Sequence, residues 1–116
     1  MWNIKDIMKI GVCSLCENIY EYNSLEENEF LNFLDIFLIE EDLDECLERS
    51  TDGVTYDIEN IENIYENNSN KYKNYTTDEL KVICKIAFKK TIEENKTINV
   101  EAFIDNIIKE VKKITK

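Results

Sequence analysis

The sequence predicts an all-α fold, a single compact bundle of about five helices in antiparallel hairpins that spans residues 1–116. Two observations favour this class. Apolar residues recur at helical spacing over most of the chain, and capping signals precede several of these stretches. A length of 116 residues suits one domain with its own core.

The first helix is predicted over about residues 3–22. Asn3 can cap it. Its apolar stripe consists of Ile4, Ile7, Met8, Val12, Leu15, Ile19 and Tyr22. Gly11 lies on the same stripe, and its missing side chain allows another helix to approach closely. We therefore expect a close helix contact at Gly11.

The second helix contains residues 29–48, the stretch around which we expect the rest of the chain to pack. Its start is marked by a capping box of Ser24 and Glu27, and apolar side chains cover most of its circumference over residues 30–39. Six carboxylates then follow, Glu40, Glu41, Asp42, Asp44, Glu45 and Glu48. They fall at the end of the helix, where the dipole disfavours negative charge. This placement indicates a functional acidic patch, or else a solvated acidic face or a helix break near Glu41.

A turn and a shorter helix are predicted next. The turn at residues 49–53 ends in Asp-Gly, and Asp57 can cap a helix over about residues 57–67. The alternation of apolar residues in this region also allows a very short strand pair near residues 54–56 and 98–100.

Two further helices are expected to form a hairpin at the end of the chain. Thr76 and Glu79 give a second capping box before a helix over about residues 77–94. Asn99 caps the last helix, whose apolar residues recur with the most regular spacing in the chain. A basic row runs along the earlier of the two helices at four-residue spacing and consists of Lys81, Lys85 and Lys89.

Charge is distributed very unevenly along the chain. The net charge is −11, and residues 1–22, 23–66 and 67–116 contribute −1, −14 and +4. An acidic block of this kind repels nucleic acid and membrane phosphates and attracts basic protein surfaces. We therefore expect a basic protein partner, no direct contact with nucleic acid and no membrane association. The opposite charges of the last two segments also allow a homodimer.

Several functional classes are disfavoured by composition. The chain contains no histidine, which removes imidazole bases, His-activated nucleophiles and His metal ligands, so we expect no enzymatic activity and no cofactor. It shows neither a signal-peptide pattern nor a long apolar run, and we expect a cytoplasmic protein. Abundant Asn, Ile and Lys indicate an AT-rich genome.

The cysteines are expected to be buried free thiols. Cys13 and Cys16 have CxxC spacing but lie in a helical pattern with no preceding strand, which disfavours a redox site of the thioredoxin type. Cys46 and Cys84 are isolated on apolar stripes, whereas a four-thiolate zinc site needs a second close pair. A structural metal or a redox role is the alternative interpretation.

Two turns partly resemble EF-hand calcium loops, at residues 48–59 and 91–102. The first places oxygen-bearing or turn residues at the expected positions, namely Glu48, Ser50, Asp52, Gly53 and Glu59. In the second, Lys96 replaces the turn glycine and Ala102 the final carboxylate. The resemblance implies a calcium-responsive adaptor as an alternative function.

Small size, the missing catalytic groups and the acidic block together predict a non-enzymatic inhibitor that occupies a basic functional surface of a target protein. The predicted contact patch is Glu40, Glu41, Asp42, Asp44, Glu45 and Glu48. Nucleases and guide-RNA effectors have basic clefts, so a phage anti-defence protein of the anti-CRISPR kind or a toxin-immunity protein are concrete versions. The other alternative is a small nucleic-acid-binding regulator that uses the Lys-rich C-terminal half.

Overall fold

Six helices make up the part of the chain that a computed structural model describes, which is residues 1–22, 26–50, 58–95 and 99–114. In chain order they are α1 Ile4–Tyr22, α2 Glu27–Phe37, α3 Leu43–Ser50, α4 Ile58–Glu66, α5 Thr77–Asn95 and α6 Val100–Ile114. These ranges contain no β-strand, and an isolated antiparallel bridge joins Trp2 to Tyr75. The predicted all-α bundle is confirmed.

The centre of the bundle is α1, which packs against each of the other five helices. Residues 7–16 are all buried, so this helix has no solvent-facing side over that stretch. Small side chains let neighbours approach it closely, and at Gly11 an added Cβ would lie only 3.0 Å from Cε2 of Phe103 on α6. The expected close contact at Gly11 is confirmed, but the expectation that residues 29–48 form the central helix is wrong.

The predicted helix over residues 29–48 is in fact two helices, α2 and α3, separated by residues 38–42. The last turn of α2 tightens, because the Ile39 N–H donates to the Ile36 carbonyl at 3.4 Å and the Glu40 N–H to the Phe37 carbonyl at 3.3 Å. The chain then restarts as α3 at Leu43. The break near Glu41, the alternative to a continuous helix, is therefore the correct interpretation.

Side-chain caps fix the starts of three helices as predicted. Asn3 Oδ1 accepts the Asp6 N–H at 2.9 Å, and Asn99 Oδ1 accepts the Ala102 N–H at 3.0 Å. At α5 the capping box is reciprocal, since Thr76 Oγ1 and Glu79 Oε1 accept each other's backbone N–H groups at 3.1 and 2.9 Å.

The predicted capping box of α2 is wrong. Glu26 is the residue that precedes this helix, and it makes no side-chain capping bond. Ser24, the predicted cap, lies outside the described residues. Helix α2 therefore begins two residues after the position that the local sequence pattern indicated.

Aromatic packing joins the two halves of the bundle. Phe30 of α2 stacks on Phe88 of α5 with ring centroids 4.5 Å apart, and its ring lies nearly perpendicular to that of Phe103 of α6 with centroids 5.7 Å apart. Between α5 and α6, the buried Asn106 amide donates to the Thr91 hydroxyl at 3.1 Å. The predicted C-terminal hairpin therefore has a specific polar contact within its apolar interface.

Some predictions concern residues that the structure does not describe. The turn at residues 49–53 lies mostly in the undescribed stretch 51–57, as do the cap at Asp57 and the first strand of the possible pair at 54–56. The second strand, 98–100, overlaps the start of α6 at Val100. Among the described helices, none combines the length and the apolarity needed to cross a membrane. The cytoplasmic location stays a prediction.

Candidate protein-binding surface

All six predicted contact residues are exposed at the junction of α2 and α3. Two large apolar side chains share this junction, with Ile36 54% and Ile39 84% exposed. We call this surface the acidic corner, and it comprises Ile36, Ile39, Glu40, Glu41, Asp42, Asp44, Glu45 and Glu48. It thus combines exposed apolar side chains with a dense group of carboxylates.

The break between α2 and α3 reverses the local electrostatics of the acidic cluster. Asp44 and Glu45 lie in the first turn of α3, and the Asp42 carboxylate accepts the Glu45 N–H at 3.0 Å as the cap of that helix. Negative charge is stabilised at a helix N-terminus, by roughly 0.3–1 kcal/mol per group. The prediction of an unfavourable helix end is therefore wrong for Asp42, Asp44 and Glu45, and helix α3 itself accounts for part of the acidity.

Three of the carboxylates have structural roles. Besides the cap at Asp42, Glu40 Oε1 accepts the N–H groups of Glu41 and Asp42 at 3.2 and 3.4 Å and orders the turn. Asp44 accepts a hydrogen bond from the Lys9 ammonium at 2.7 Å. Among the side chains that the structure describes, none forms an ion pair with Glu41, Glu45 or Glu48. These three exposed carboxylates can therefore reach a partner without breaking a described pair.

The ammonium group of Lys9 is the anchor of the corner to the core. Its side chain is only 7% exposed, and it donates to Asp44 of α3 at 2.7 Å and to Glu62 of α4 at 3.0 Å. Burial alone would lower the pKa of Lys9, but the hydrogen bonds and charges of Asp44 and Glu62 outweigh it and raise the pKa above its usual value. A protonated Lys9 therefore ties α1 to both α3 and α4.

The two apolar residues of the corner were missed by the sequence analysis. Helical periodicity assigned residues 30–39 to a buried helix surface. In the structure Ile36 lies on the solvent-facing side of α2, and Ile39 lies just beyond the end of that helix, so both are exposed. One signal was available, because Asp42 and Glu45 have the spacing of a capping box and mark a helix start.

All four cysteines are buried free thiols, as predicted. Burial, with a smaller contribution from Glu17, raises the pKa of Cys16 to about 12, and burial also raises the pKa of Cys84. A thiol with a raised pKa stays protonated at neutral pH and is a poor nucleophile. In the part of the chain that the structure describes, no cluster of three or more potential ligand side chains could hold a metal ion.

The second calcium-like turn does not form a loop of the EF-hand kind. Helix α5 continues to Asn95 and α6 begins at Val100, so the linker is far shorter than the roughly twelve residues that an EF-hand loop needs. The first residue of that turn, Thr91, is buried in α5 and donates its hydroxyl to the Ala87 carbonyl at 2.7 Å. For the first turn, residues 51–57 lie outside the described ranges, and calcium binding there stays a prediction.

The basic row of α5 is partly neutralised by α2. Lys81 pairs with Asp35 at 2.7 Å and Lys85 with Glu27 at 3.4 Å. A partly neutralised row has less to offer a phosphate backbone. This pairing gives no support to the nucleic-acid regulator, which stays a prediction.

Comparison with known proteins identified no relative of this chain. No protein-family model, curated protein or solved structure matches the chain. The structure itself defines an acidic all-α protein with a mixed apolar and acidic surface at one helix junction.

Proposed function

We propose that this protein is a non-enzymatic binding protein that places its acidic corner on a basic surface of another protein. The observation behind the proposal is the exposure of Ile36 and Ile39 among exposed carboxylates. Apolar side chains enclosed by a polar rim are typical of the energetic centre of a protein interface. Burial of one such side chain in a complex is worth roughly 1.5–3 kcal/mol.

In this proposal the carboxylates orient the partner on the acidic corner and increase the rate of association. Glu41, Glu45 and Glu48 form no ion pair with another described side chain, so a partner's lysines or arginines can pair with them. The excess negative charge of the surrounding segment accelerates the encounter with a basic protein.

Inhibition follows if the basic surface is one that the partner needs for its own function. Nucleases and RNA-guided effectors hold nucleic acid in basic clefts, and an acidic protein bound there competes with the phosphate backbone. An anti-defence protein of a phage or mobile element, or a toxin-immunity protein, would act in this way in the cytoplasm.

The test begins with two charge variants of equal size. The corner variant carries Glu41→Lys, Glu45→Lys and Glu48→Lys. The control variant carries Glu94→Lys, Glu101→Lys and Asp105→Lys, which are exposed residues of α5 and α6. Both change the net charge equally. Asp42 and Asp44 are left intact because they hold α3 in place.

A third variant, Ile39→Ser, tests the apolar centre without changing charge. Each protein is checked by circular dichroism and then used to capture partners from lysate of the source organism, and the captured protein is purified for calorimetry. We expect the wild type and the control variant to bind it, and the corner variant and Ile39→Ser to lose at least about tenfold in affinity. Equal binding by all four proteins, or no partner for the wild type, would overturn the proposal.

Competition distinguishes an inhibitor from a simple binder. If the corner occupies a nucleic-acid surface, added DNA or RNA displaces the protein from its partner and the partner's nuclease activity falls as the protein is added. If added nucleic acid does not change the binding, the protein is still a binding protein, but inhibition by competition with nucleic acid is excluded.

A further inference from the structure

A second surface of the molecule lies between α2 and α5. The two helices run antiparallel, since Asp35 pairs with Lys81 and Glu27, earlier in α2, pairs with Lys85, later in α5. They leave a groove with a cavity of about 280 Å³ between them. Its lining residues are Leu31, Asp35, Lys81, Val82 and Lys85.

The groove continues toward the end of α5. A smaller cavity of about 140 Å³ is lined by Glu27, Phe88, Lys89, Ile92 and Glu93. The α2 residues of the two cavities, 27, 31 and 35, are spaced four apart and lie on one side of that helix over about 12 Å. The two cavities therefore lie in line along the α2–α5 contact, and we call them together the α2–α5 groove; its apolar lining includes Val82, which is 49% exposed.

The two sides of this groove carry charges of opposite sign. The α2 side contributes Glu27 and Asp35, and the α5 side contributes the row of Lys81, Lys85 and Lys89. The paired side chains remain accessible, with Lys81 42% and its partner Asp35 60% exposed. An ammonium group can donate three hydrogen bonds and a carboxylate can accept about four, so each retains capacity for a second ion pair.

We propose that the α2–α5 groove binds a second copy of this chain and forms a two-fold symmetric dimer. The two-fold axis lies in the interface and runs parallel to the groove. Rotation about it places the α2 side of one protomer against the α5 side of the other, and each residue keeps its position along the length of the groove. The carboxylates of one protomer then lie over the lysine row of its partner, so the surface is complementary to itself. Val82 and Leu31 of both protomers pack near the axis. This proposal does not rest on the proposed function of the acidic corner.

The charge of the whole molecule favours this face for self-association. Two copies with a net charge of −11 repel one another over most approaches. Along the groove the three lysines are balanced by three carboxylates, Glu27, Asp35 and Glu93. Repulsion between copies is therefore weak there. A strongly basic or strongly acidic partner finds no such complementarity.

The test uses two single variants of opposite sign, Lys81→Glu and Asp35→Lys. Asp35 and Lys81 pair within one chain and so lie at the same height along the groove, which places Asp35 of one protomer opposite Lys81 of its partner. The first variant therefore brings carboxylates together across the dimer, and the second brings ammonium groups together. Because of the two-fold axis each change acts twice, and we expect the dimer dissociation constant to rise at least about tenfold in sedimentation equilibrium.

Mixing the two variants separates contacts between protomers from contacts within one chain. In the mixed dimer, Asp35 of the Lys81→Glu chain faces Lys81 of the Asp35→Lys chain. At the symmetry-related position, the two substituted side chains, one carboxylate and one ammonium, face each other. We expect the mixture to dimerise more tightly than either variant alone, with a dissociation constant at least about tenfold lower. Restoration by mixing cannot arise from repair of a folding defect, because the chains themselves are unchanged.

Two outcomes would overturn the dimer. One is a wild type that sediments as a monomer up to millimolar concentration, and the other is a mixture that associates no better than its components. Ile39→Ser is the control, since it lies outside the groove and leaves the dimer intact while it weakens the partner binding proposed for the acidic corner. Failure of one proposal is therefore distinguishable from failure of the other.

Discussion

At Gly11 the central helix has no side chain, and this position determines how closely α1 and α6 pack. A Cβ there would meet Cε2 and Cζ of Phe103 at 3.0 and 3.1 Å and Cδ1 of Ile107 at 3.2 Å. Phe103 is fully buried and meets Phe30 edge to face, so its ring has little space to move. The intrinsic helix propensity of alanine, about 1 kcal/mol better than that of glycine, is offset by this crowding.

We expect Gly11→Ala to lower the free energy of unfolding by about 1 kcal/mol, because overpacking of a filled core costs roughly 1–3 kcal/mol and exceeds the propensity gain. Urea denaturation measures the change. The double variant with Phe103→Leu should lose less than the sum of the two single variants, since a smaller side chain accepts the methyl group. A stabilised Gly11→Ala protein would show that α6 can move aside.

The buried ammonium of Lys9 is a different kind of constraint. It holds α3 and α4 against α1 through Asp44 and Glu62, at 2.7 and 3.0 Å. Removal of the partners of a buried charge leaves that charge uncompensated and costs roughly 3–5 kcal/mol. Removal of the Lys9 charge itself costs less, because the two carboxylates that it leaves behind are still reached by water. Asp44 and Glu62 are themselves 57% and 39% exposed, which places this pair at the low end of that range.

We therefore expect the double variant Asp44→Ala, Glu62→Ala to lose about 3 kcal/mol of stability, and Lys9→Met to lose less. The raised pKa of Lys9 adds a dependence on pH. Its folded-state pKa exceeds the unfolded value, so its contribution is fully present below about pH 10.4 and is lost as pH rises through the folded-state pKa. Urea denaturation from pH 8 upward should show a steeper loss for the wild type than for Lys9→Met. Equal slopes would contradict the pairing.

At the scale of elements, the sequence predicted where most helices begin but not where α2 ends. Caps at Asn3, Thr76 and Asn99 are local signals and could be recognised from neighbouring residues alone. The end of α2 has no glycine or proline, and apolar residues continue past it to Ile39. The local signal of this break lies further along the chain, where Asp42 and Glu45 have the spacing of a capping box for α3.

The cap of α3 provides the test at this scale. We expect Asp42→Ala to destabilise the protein by about 1 kcal/mol, because the Glu45 N–H loses its acceptor in a helix of only eight residues. Asp42→Asn keeps an acceptor and should cost little. Glu41→Ala, a neighbouring exposed carboxylate that accepts no capping bond, is the matched control. Equal effects of the Asp42→Ala and Glu41→Ala changes in urea denaturation would exclude the capping role.

For the whole molecule, periodicity predicted the class of fold but not which helix is central. The apolar stripe of α1 resembled that of any amphipathic helix. The rest of the α1 surface is buried through small residues such as Ser14 and Cys16, which an analysis of apolar periodicity does not count. The carboxylates of the acidic corner could be identified from composition and charge alone. Their position at the start of α3 and the exposure of Ile36 and Ile39 could be recognised only once the ends of α2 and α3 were known.

Excess negative charge has a consequence for the molecule as a whole. With a net charge of −11, folding brings like charges together, and salt screens this repulsion over a Debye length of about 10 Å at 0.1 M. Salt also weakens the ion pairs, but the exposed pairs contribute at most about 1 kcal/mol each. The stabilisation gained by screening the excess negative charge should therefore exceed the loss from weakened ion pairs.

We expect sodium chloride to stabilise the monomer, with a Tm that rises by about 4 °C between low and moderate ionic strength, which corresponds to roughly 1 kcal/mol for a domain of this size. Calorimetry at a concentration below that of self-association measures it. The variant with Glu41→Lys, Glu45→Lys and Glu48→Lys should respond less to salt, because each change removes an uncompensated charge. A Tm that falls with salt would mean that the ion pairs of Lys9, Lys81 and Lys85 contribute more to stability than the acidic repulsion removes.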